Sequence, residues 1–167
     1  MDGQEEDYDW AGPYMNSRQV VAVLYENPIQ SLPDLEGRSL GVRAGAKAES
    51  IFLNHTDSDI PQVKNIYSLN STDELVTALR NDYVDAIAGY AATLRETLRN
   101  DGIAYRFLEE DLNQASLGVA FARGKNTKLQ EQLSETLKEM LSDGTTKQIL
   151  EGYNVDTGKV LGGLMDE

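Results

Sequence analysis

Between Ser31 and Glu49 the chain reads SLPDLEGRSLGVRAGAKAE, and no other stretch constrains local conformation so tightly. Ser31 is a strong helix N-cap, and Pro33 falls near the first helical position, where a missing N–H does no harm. Gly37 can supply the positive φ that ends this turn. Ser39 to Arg43 is short and apolar enough for a strand. Gly45 then permits a tight turn into a helix over Ala46–Asn54, whose first amides have no intrahelical acceptor. Such an end suits a carboxylate or another anion.

Strands and helices alternate along most of the chain. Gln19–Tyr25 is a Val-rich buried-strand candidate, and Asn27–Ser31 with Pro28 a turn. Val63–Tyr67 reads as a strand. Ser71, Thr72, Asp73 and Glu74 have capping-box spacing and open a helix to Asn81, with Leu75, Val76, Ala78 and Leu79 on one face. Val84–Ala88 is the next strand, Ala91–Asn100 the next helix, and Ala104–Leu108 and Ser116–Ala122 two more strands. Asn126 or Thr127 caps a helix whose Leu129, Leu133, Leu137, Met140 and Leu141 form one stripe. Asp143-Gly144 breaks it before a short helix over Thr145–Glu151. Residues 1–9 read as a loose acidic start, and the tail to Glu167 has weak structure signals. The alternation predicts an α/β domain with a largely parallel sheet.

A length of 167 residues fits one domain or two small lobes. The net charge of -13 argues against a nucleic-acid partner and against an anionic membrane surface. The absence of cysteine excludes disulfides, thiolate catalysis and Cys-based metal sites. No apolar run approaches the roughly 18–20 residues of a membrane span. The acidic N-terminus MDGQEEDYDW does not have the pattern of a signal peptide.

The Ser31–Glu49 stretch resembles the start of the second lobe in family 3 solute-binding proteins, bilobed proteins that bind amino acids and related polar solutes for uptake transporters. Ser31, Leu32, Asp34, Leu35, Gly37, Gly41, Val42, Gly45, Ala48 and Glu49 match that family's pattern, whereas Ala46 and Lys47 replace its usual hydroxyl residues. The resemblance continues in order. Ala11-Gly-Pro-Tyr14 with Gln19–Val23 is similar to the crossing into lobe two. Ser71–Leu79 with Val84-Asp85-Ala86, then Leu117–Ala120 with Arg123-Gly124-Lys125, are similar to later segments. Leu129–Leu141, Asp143-Gly144-Thr145 and Ile149 are similar to the closing helices.

This resemblance implies a periplasmic-binding-protein-like (type II) α/β fold, comprising the second lobe and the C-terminal part of lobe one. The expected segments are an acidic start and crossing (1–22), lobe two (23–115), return strand and C-terminal helices of lobe one (116–152) and a tail (153–167). The first half of lobe one is expected to be missing, and the export signal to lie outside this chain. The apolar stripe after Asn126 then needs another cover, such as a partner chain, a homodimer or a repacked core.

The resemblance also places the ligand. In the family, the turn matching Ala44–Ala48 holds the solute's carboxylate, so Gly45, Ala46, Lys47 and Ala48 are candidate ligand-binding residues. An ordinary strand-to-helix turn is the alternative. Tyr90 stands where the family often has an aspartate that pairs with a ligand ammonium. A phenol cannot neutralise an ammonium at neutral pH, which disfavours an α-amino-acid ligand. Its alternative role is to start a helix. Tyr14 matches a hinge aromatic that touches solute or simply packs. Arg43 and Gln114 line a cleft or are merely solvated.

Enzyme signals are poor. His55 is the lone histidine and sits at a polar helix end, giving a triad or metal cluster little support. Asp156-Thr-Gly158 is a single copy of a motif that needs two, and Gly152 to Lys159 misses P-loop spacing. The cluster Asp2, Glu5, Glu6, Asp7 and Asp9 lacks EF-hand spacing. Asn54-His-Thr56 and Asn70-Ser-Thr72 fit the glycosylation pattern incidentally.

The leading expectation is a non-catalytic extracytoplasmic module, periplasmic or anchored at the cell surface. It binds a small polar solute without cofactor or metal and serves an ABC-transporter permease. The rivals are a sensory domain of the same fold, a dehydratase-type enzyme needing an acid/base pair in the cleft, and a truncated relative that self-associates.

Overall fold

The computed structural model describes residues 7–54 and 59–164. His55, Asp2, Glu5 and Glu6 lie outside the described residues. The chain divides into two compact units, Arg18–Asn113 and the pair of segments Met1–Ser17 and Gln114–Glu167. Strand β1 (Tyr8–Leu24) contributes to both.

The Arg18–Asn113 unit is built on strands in the order β3-β2-β4-β1-β5, where β2 is Ser39–Arg43, β3 Asn65–Leu69, β4 Ala86–Tyr90 and β5 Tyr105–Phe107. Parallel pairing sets Leu40 opposite Ile66 on β3 and opposite Ala86 on β4. β1 runs antiparallel to β4, setting Val20 opposite Gly89 and Gln19 opposite Tyr90. Because side chains alternate along a strand, the run 20–23 feeds two cores. Val21 and Val23 join Leu40, Val42, Ala86 and Ala88 with Ala48, Ile51 and Phe52 of α1 (Lys47–Asn54). Val20 and Ala22 join Ile87 with buried residues of α2 (Thr72–Arg80) and α3 (Ala91–Asp101). α1 therefore covers one face of the sheet, and α2 and α3 the other.

The local signals explain these elements. Ser71 caps α2 by accepting from the Glu74 amide at 3.2 Å. The Glu74 carboxylate accepts from the amide of Asn70 at 2.8 Å, one residue before the expected capping-box position. Leu75 and Leu79 are each 1% exposed, and burying such side chains contributes about 2 kcal/mol apiece. Gly102, at φ 72°, ends α3 in the left-handed conformation. Asn27 and Ile29 direct their carbonyls to the Arg106 guanidinium, which ties the turn after β1 to β5. Arg18, buried, pairs bidentately with Asp111.

In the other unit the first part of β1 pairs with β6 (Asn113–Ala122). Asp9 accepts from the Gly124 amide at 2.7 Å, and Ser116 donates to the Asn16 side chain at 3.1 Å. Helices α4 (Thr127–Ser142), α5 (Thr145–Gly152) and α6 (Thr157–Leu161) complete it. No residue of α4 is buried, and Leu129 is 56% exposed.

Several expectations are corrected. The start is not loose throughout, because β1 already begins at Tyr8. The tail holds α6, capped by Asp156, which accepts from Lys159 at 3.2 Å, with Val160 and Leu161 buried. Strands β3 and β4 each start two residues later than the apolar runs Val63–Tyr67 and Val84–Ala88 suggest. Asp85 explains the second shift: its carboxylate accepts from the Ser39 amide (2.8 Å) and hydroxyl (2.6 Å). That ties the chain to the start of β2 before β4 begins.

Candidate functional site

Strands β2 and β4 are parallel and end side by side, and the chain beyond each enters a helix. In sheets of this kind the crevice at the carboxyl ends of the strands is the natural ligand site. A cavity of about 250 Å³ lies there, wholly within the Arg18–Asn113 unit. Its wall takes Arg43 and Gly45–Lys47 from the β2–α1 turn, Thr72 and Leu75 from α2, and Gly89, Tyr90, Thr93 and Leu94 from β4 and α3. Gln19 of β1 and Ala88 complete it.

Each of α1, α2 and α3 contributes residues of its N-terminal half to this wall. Helix N-termini carry partial positive charge and unpaired amides, so they favour an anion together. The three ends differ in what remains available. At α1, the Gly45 amide donates to the Glu49 carboxylate at 2.7 Å and the Ala46 amide to the Arg43 carbonyl at 3.1 Å. The amides at the head of α1, beginning with Lys47, are beyond that turn. At α2, the Ser71 hydroxyl caps Glu74. At α3, the N-cap Tyr90 makes no side-chain cap, and the first turn has no acidic residue. Arg43 and Lys47 add cationic side chains, and no Asp or Glu is among the lining residues.

Glu49 shapes the turn without lining the cavity. The Ser68 hydroxyl and the Gly45 amide donate to its carboxylate and hold its pKa below the usual glutamate value. Gly45 itself stands at φ 71°, the left-handed conformation that the turn into α1 requires.

Gln19 is 2% exposed, yet neither its side-chain nitrogen nor its side-chain oxygen has a hydrogen-bond partner among the described residues. Its backbone is well anchored, with the carbonyl accepting from the Leu112 amide at 2.8 Å. The group left without a partner is therefore the carboxamide alone, and both of its polar atoms are inaccessible.

Of the residues singled out in the sequence, Arg43, Gly45, Ala46, Lys47 and Tyr90 come together around this cavity. Ala48 is fully buried in the core against the sheet, which leaves only its backbone facing the turn. Tyr14 lies half-buried in β1 and Gln114 exposed in β6, both in the other unit. Gln19, Thr72 and Thr93 escaped the sequence reading. A signal for Gln19 was present, since it is the one polar residue heading the apolar run QVVAVLY. Among the described residues no group of three or more His, Cys, Asp or Glu is placed to hold a metal. No described helix is long and apolar enough to cross a membrane.

The family model described as NMT1/THI5 like matches residues 12–140, and the chain belongs to that family. A relative from Campylobacter jejuni named "Probable histidine-binding protein" is 23% identical over 93% of this chain and 59% of its own length. Another from Bacillus subtilis, "Probable amino-acid-binding protein YxeM", is 23% identical over 91% of this chain and 57% of its own. The chain thus spans less than two thirds of each of these curated relatives. A solved structure, the second substrate-binding domain of a putative amino acid ABC transporter from Streptococcus pneumoniae, superposes with a TM-score of 0.75 at 18% identity. That match covers 92% of this chain and 68% of the other. The fold is α/β and periplasmic-binding-protein-like (type II). The resemblance to amino-acid-binding proteins read from the sequence is shared by these named relatives.

Proposed function

We propose that this chain is a non-catalytic, extracytoplasmic solute-binding module that captures an amino acid or a related small carboxylate for an ABC-transporter permease. The observation that carries the reading is the cavity at the ends of β2 and β4. Three helices present N-terminal residues to it, Arg43 and Lys47 add positive charge, and no lining carboxylate opposes an anion. The amino-acid-binding names of the relatives point the same way. The residues proposed to hold the solute are Arg43, the head of α1 at Lys47 and Ala48, and Tyr90. Gly45 and Ala46 shape the turn, and Tyr14 is a further candidate on the family resemblance alone. A bound solute acts on the transporter only through the extra contacts it makes in one conformation of the module over another.

A thermal-unfolding screen of the chain against amino acids, polyamines, small carboxylates and sugars tests this. A ligand at about 100 times its dissociation constant adds about 2.7 kcal/mol of native stability, a midpoint shift of several degrees. Saturable shifts confined to carboxylate-bearing compounds are expected. A cooperative unfolding transition unmoved by every compound contradicts the reading.

A further inference from the structure

We infer that the wall of this cavity selects its solute by charge, and that the solute is a short acid without an ammonium group, with a dicarboxylate binding most tightly. The inference rests on the solute-binding reading above and names the chemical class of solute.

Charge is unbalanced in this wall. The chain carries a net charge of -13, yet the two charged residues lining the cavity, Arg43 and Lys47, are both cations. Both are exposed, and neither side chain has an ion-pair or hydrogen-bond partner among the described residues. None of the acids carried by α1, α2 and α3 is among the lining residues. Two that stand in first helical turns are engaged elsewhere. Glu49 of α1 accepts from the Gly45 amide and the Ser68 hydroxyl, and Glu74 of α2 from the Asn70 amide. The counter-charge for Arg43 and Lys47 is therefore sought in what fills the cavity.

Chemistry narrows the solute. Gln19 apart, whose polar atoms are inaccessible, the uncharged polar side chains of the wall are the hydroxyls of Thr72, Tyr90 and Thr93. A hydroxyl donates as well as accepts. Thr72 opens α2 and Thr93 lies in the first turn of α3, at helix ends that carry partial positive charge. A guanidinium takes a carboxylate bidentately and a Lys ammonium takes one as a point charge. A carboxylate thus finds a donor in every one of these side chains. An ammonium finds only neutral hydroxyl oxygens and two like charges, which repel it. Two cations without a counter-charge match two carboxylates. The volume of about 250 Å³ lies below the drug-sized range of roughly 300–1,000 Å³, in keeping with a short solute.

The test is calorimetric titration of the whole chain with four probes that share one carbon skeleton. Glutarate has two carboxylates, glutaramate replaces one of them with an amide, and L-glutamate and L-glutamine add an ammonium to each in turn. Glutarate is expected to bind most tightly, and each ammonium-free probe at least about tenfold more tightly than its amino counterpart, because juxtaposed like charges discriminate strongly. Arg43→Gln and Lys47→Gln are each expected to weaken glutarate at least about tenfold and to narrow its lead over glutaramate, with the melting point of the unliganded chain unchanged. Merely structural roles for these two residues predict the reverse, a lower melting point and unchanged affinities. Binding of L-glutamate or L-glutamine as tight as that of its ammonium-free counterpart, or of glutaramate as tight as glutarate, overturns the inference and leaves the solute-binding reading standing. That comparison needs no variant to fold. Failure of all four probes overturns the inference, and if no compound of the thermal screen shifts the melting point either, the solute-binding reading falls with it.

Discussion

Gln19 and Tyr90 are directly opposed residues of the antiparallel β1–β4 ladder, and both line the cavity at the end of β4. One, Gln19, is almost wholly buried, and its carboxamide has no partner among the described residues. The other, Tyr90, is 49% exposed and carries a neutral phenol. Side chains so opposed lie within contact distance of one another, so a charge placed at position 90 acts at the rim of the cavity.

Tyr90→Asp is therefore expected to change ligand class. A carboxylate at this rim supplies the missing partner for an ammonium, and charge-assisted hydrogen bonds are roughly twice as strong as neutral ones. The variant should favour L-glutamine over glutaramate by at least about tenfold relative to wild type, measured by competition calorimetry.

Gly41 is set by packing, not by backbone conformation. A Cβ there would stand 3.0 Å from Leu75 Cδ2 and 3.2 Å from Ile87 Cγ2, inside the core between β2 and α2. Gly41→Ala is expected to lower stability by about 1–3 kcal/mol, the usual range for overpacking. Chemical denaturation should show this as a lower midpoint with an unchanged slope.

The Arg18–Asp111 pair is buried, with 4% and 12% of the two side chains exposed. Removing one member strands the other charge, so Asp111→Asn is expected to cost about 3 kcal/mol or more. Denaturant unfolding of the variant checks this.

Acid should unfold the protein through identifiable carboxyls. Burial pushes the Asp85 pKa up, but the Ser39 hydroxyl and amide, with Arg38 nearby, more than offset this and hold it below the ordinary 3.8. The amides of Gln30 and Ser31 lower Asp34, and the Ser68 hydroxyl with the Gly45 amide lowers Glu49. A carboxyl whose folded pKa is depressed stabilises fully above its unfolded value and loses that contribution as pH falls through the folded value. Stability should thus hold down to about pH 5 and decline below it. Asp85→Asn should flatten part of that decline in pH-dependent melting.

Where sequence and structure agree, one local signal acts alone. Ser71 and Glu74 open α2, and Gly45 opens α1, because each needs only its immediate neighbours. Where they part, distant residues decide. The start of β4 is displaced because Asp85 turns to Ser39, 46 positions away in sequence. α6 was hidden because a five-residue helix has no periodicity to read, although Asp156 was already the right cap. In the site, Lys47 and Tyr90 were singled out through the family resemblance, and both line the cavity. The presence of Gln19, Thr72 and Thr93 in the wall was not legible, because β1, α2 and α3 are brought to the ends of β2 and β4 only by the folded sheet.

The most direct test of the account is a titration of the ¹⁵N-labelled chain with glutaramate, L-glutamine and L-arginine, followed by amide chemical shifts. The account predicts saturable shifts centred on Lys47, Ala48, Gly89 and the first amides of α3. Absence of saturable shifts with all three solutes, or shifts confined to residues 114–164, would contradict it.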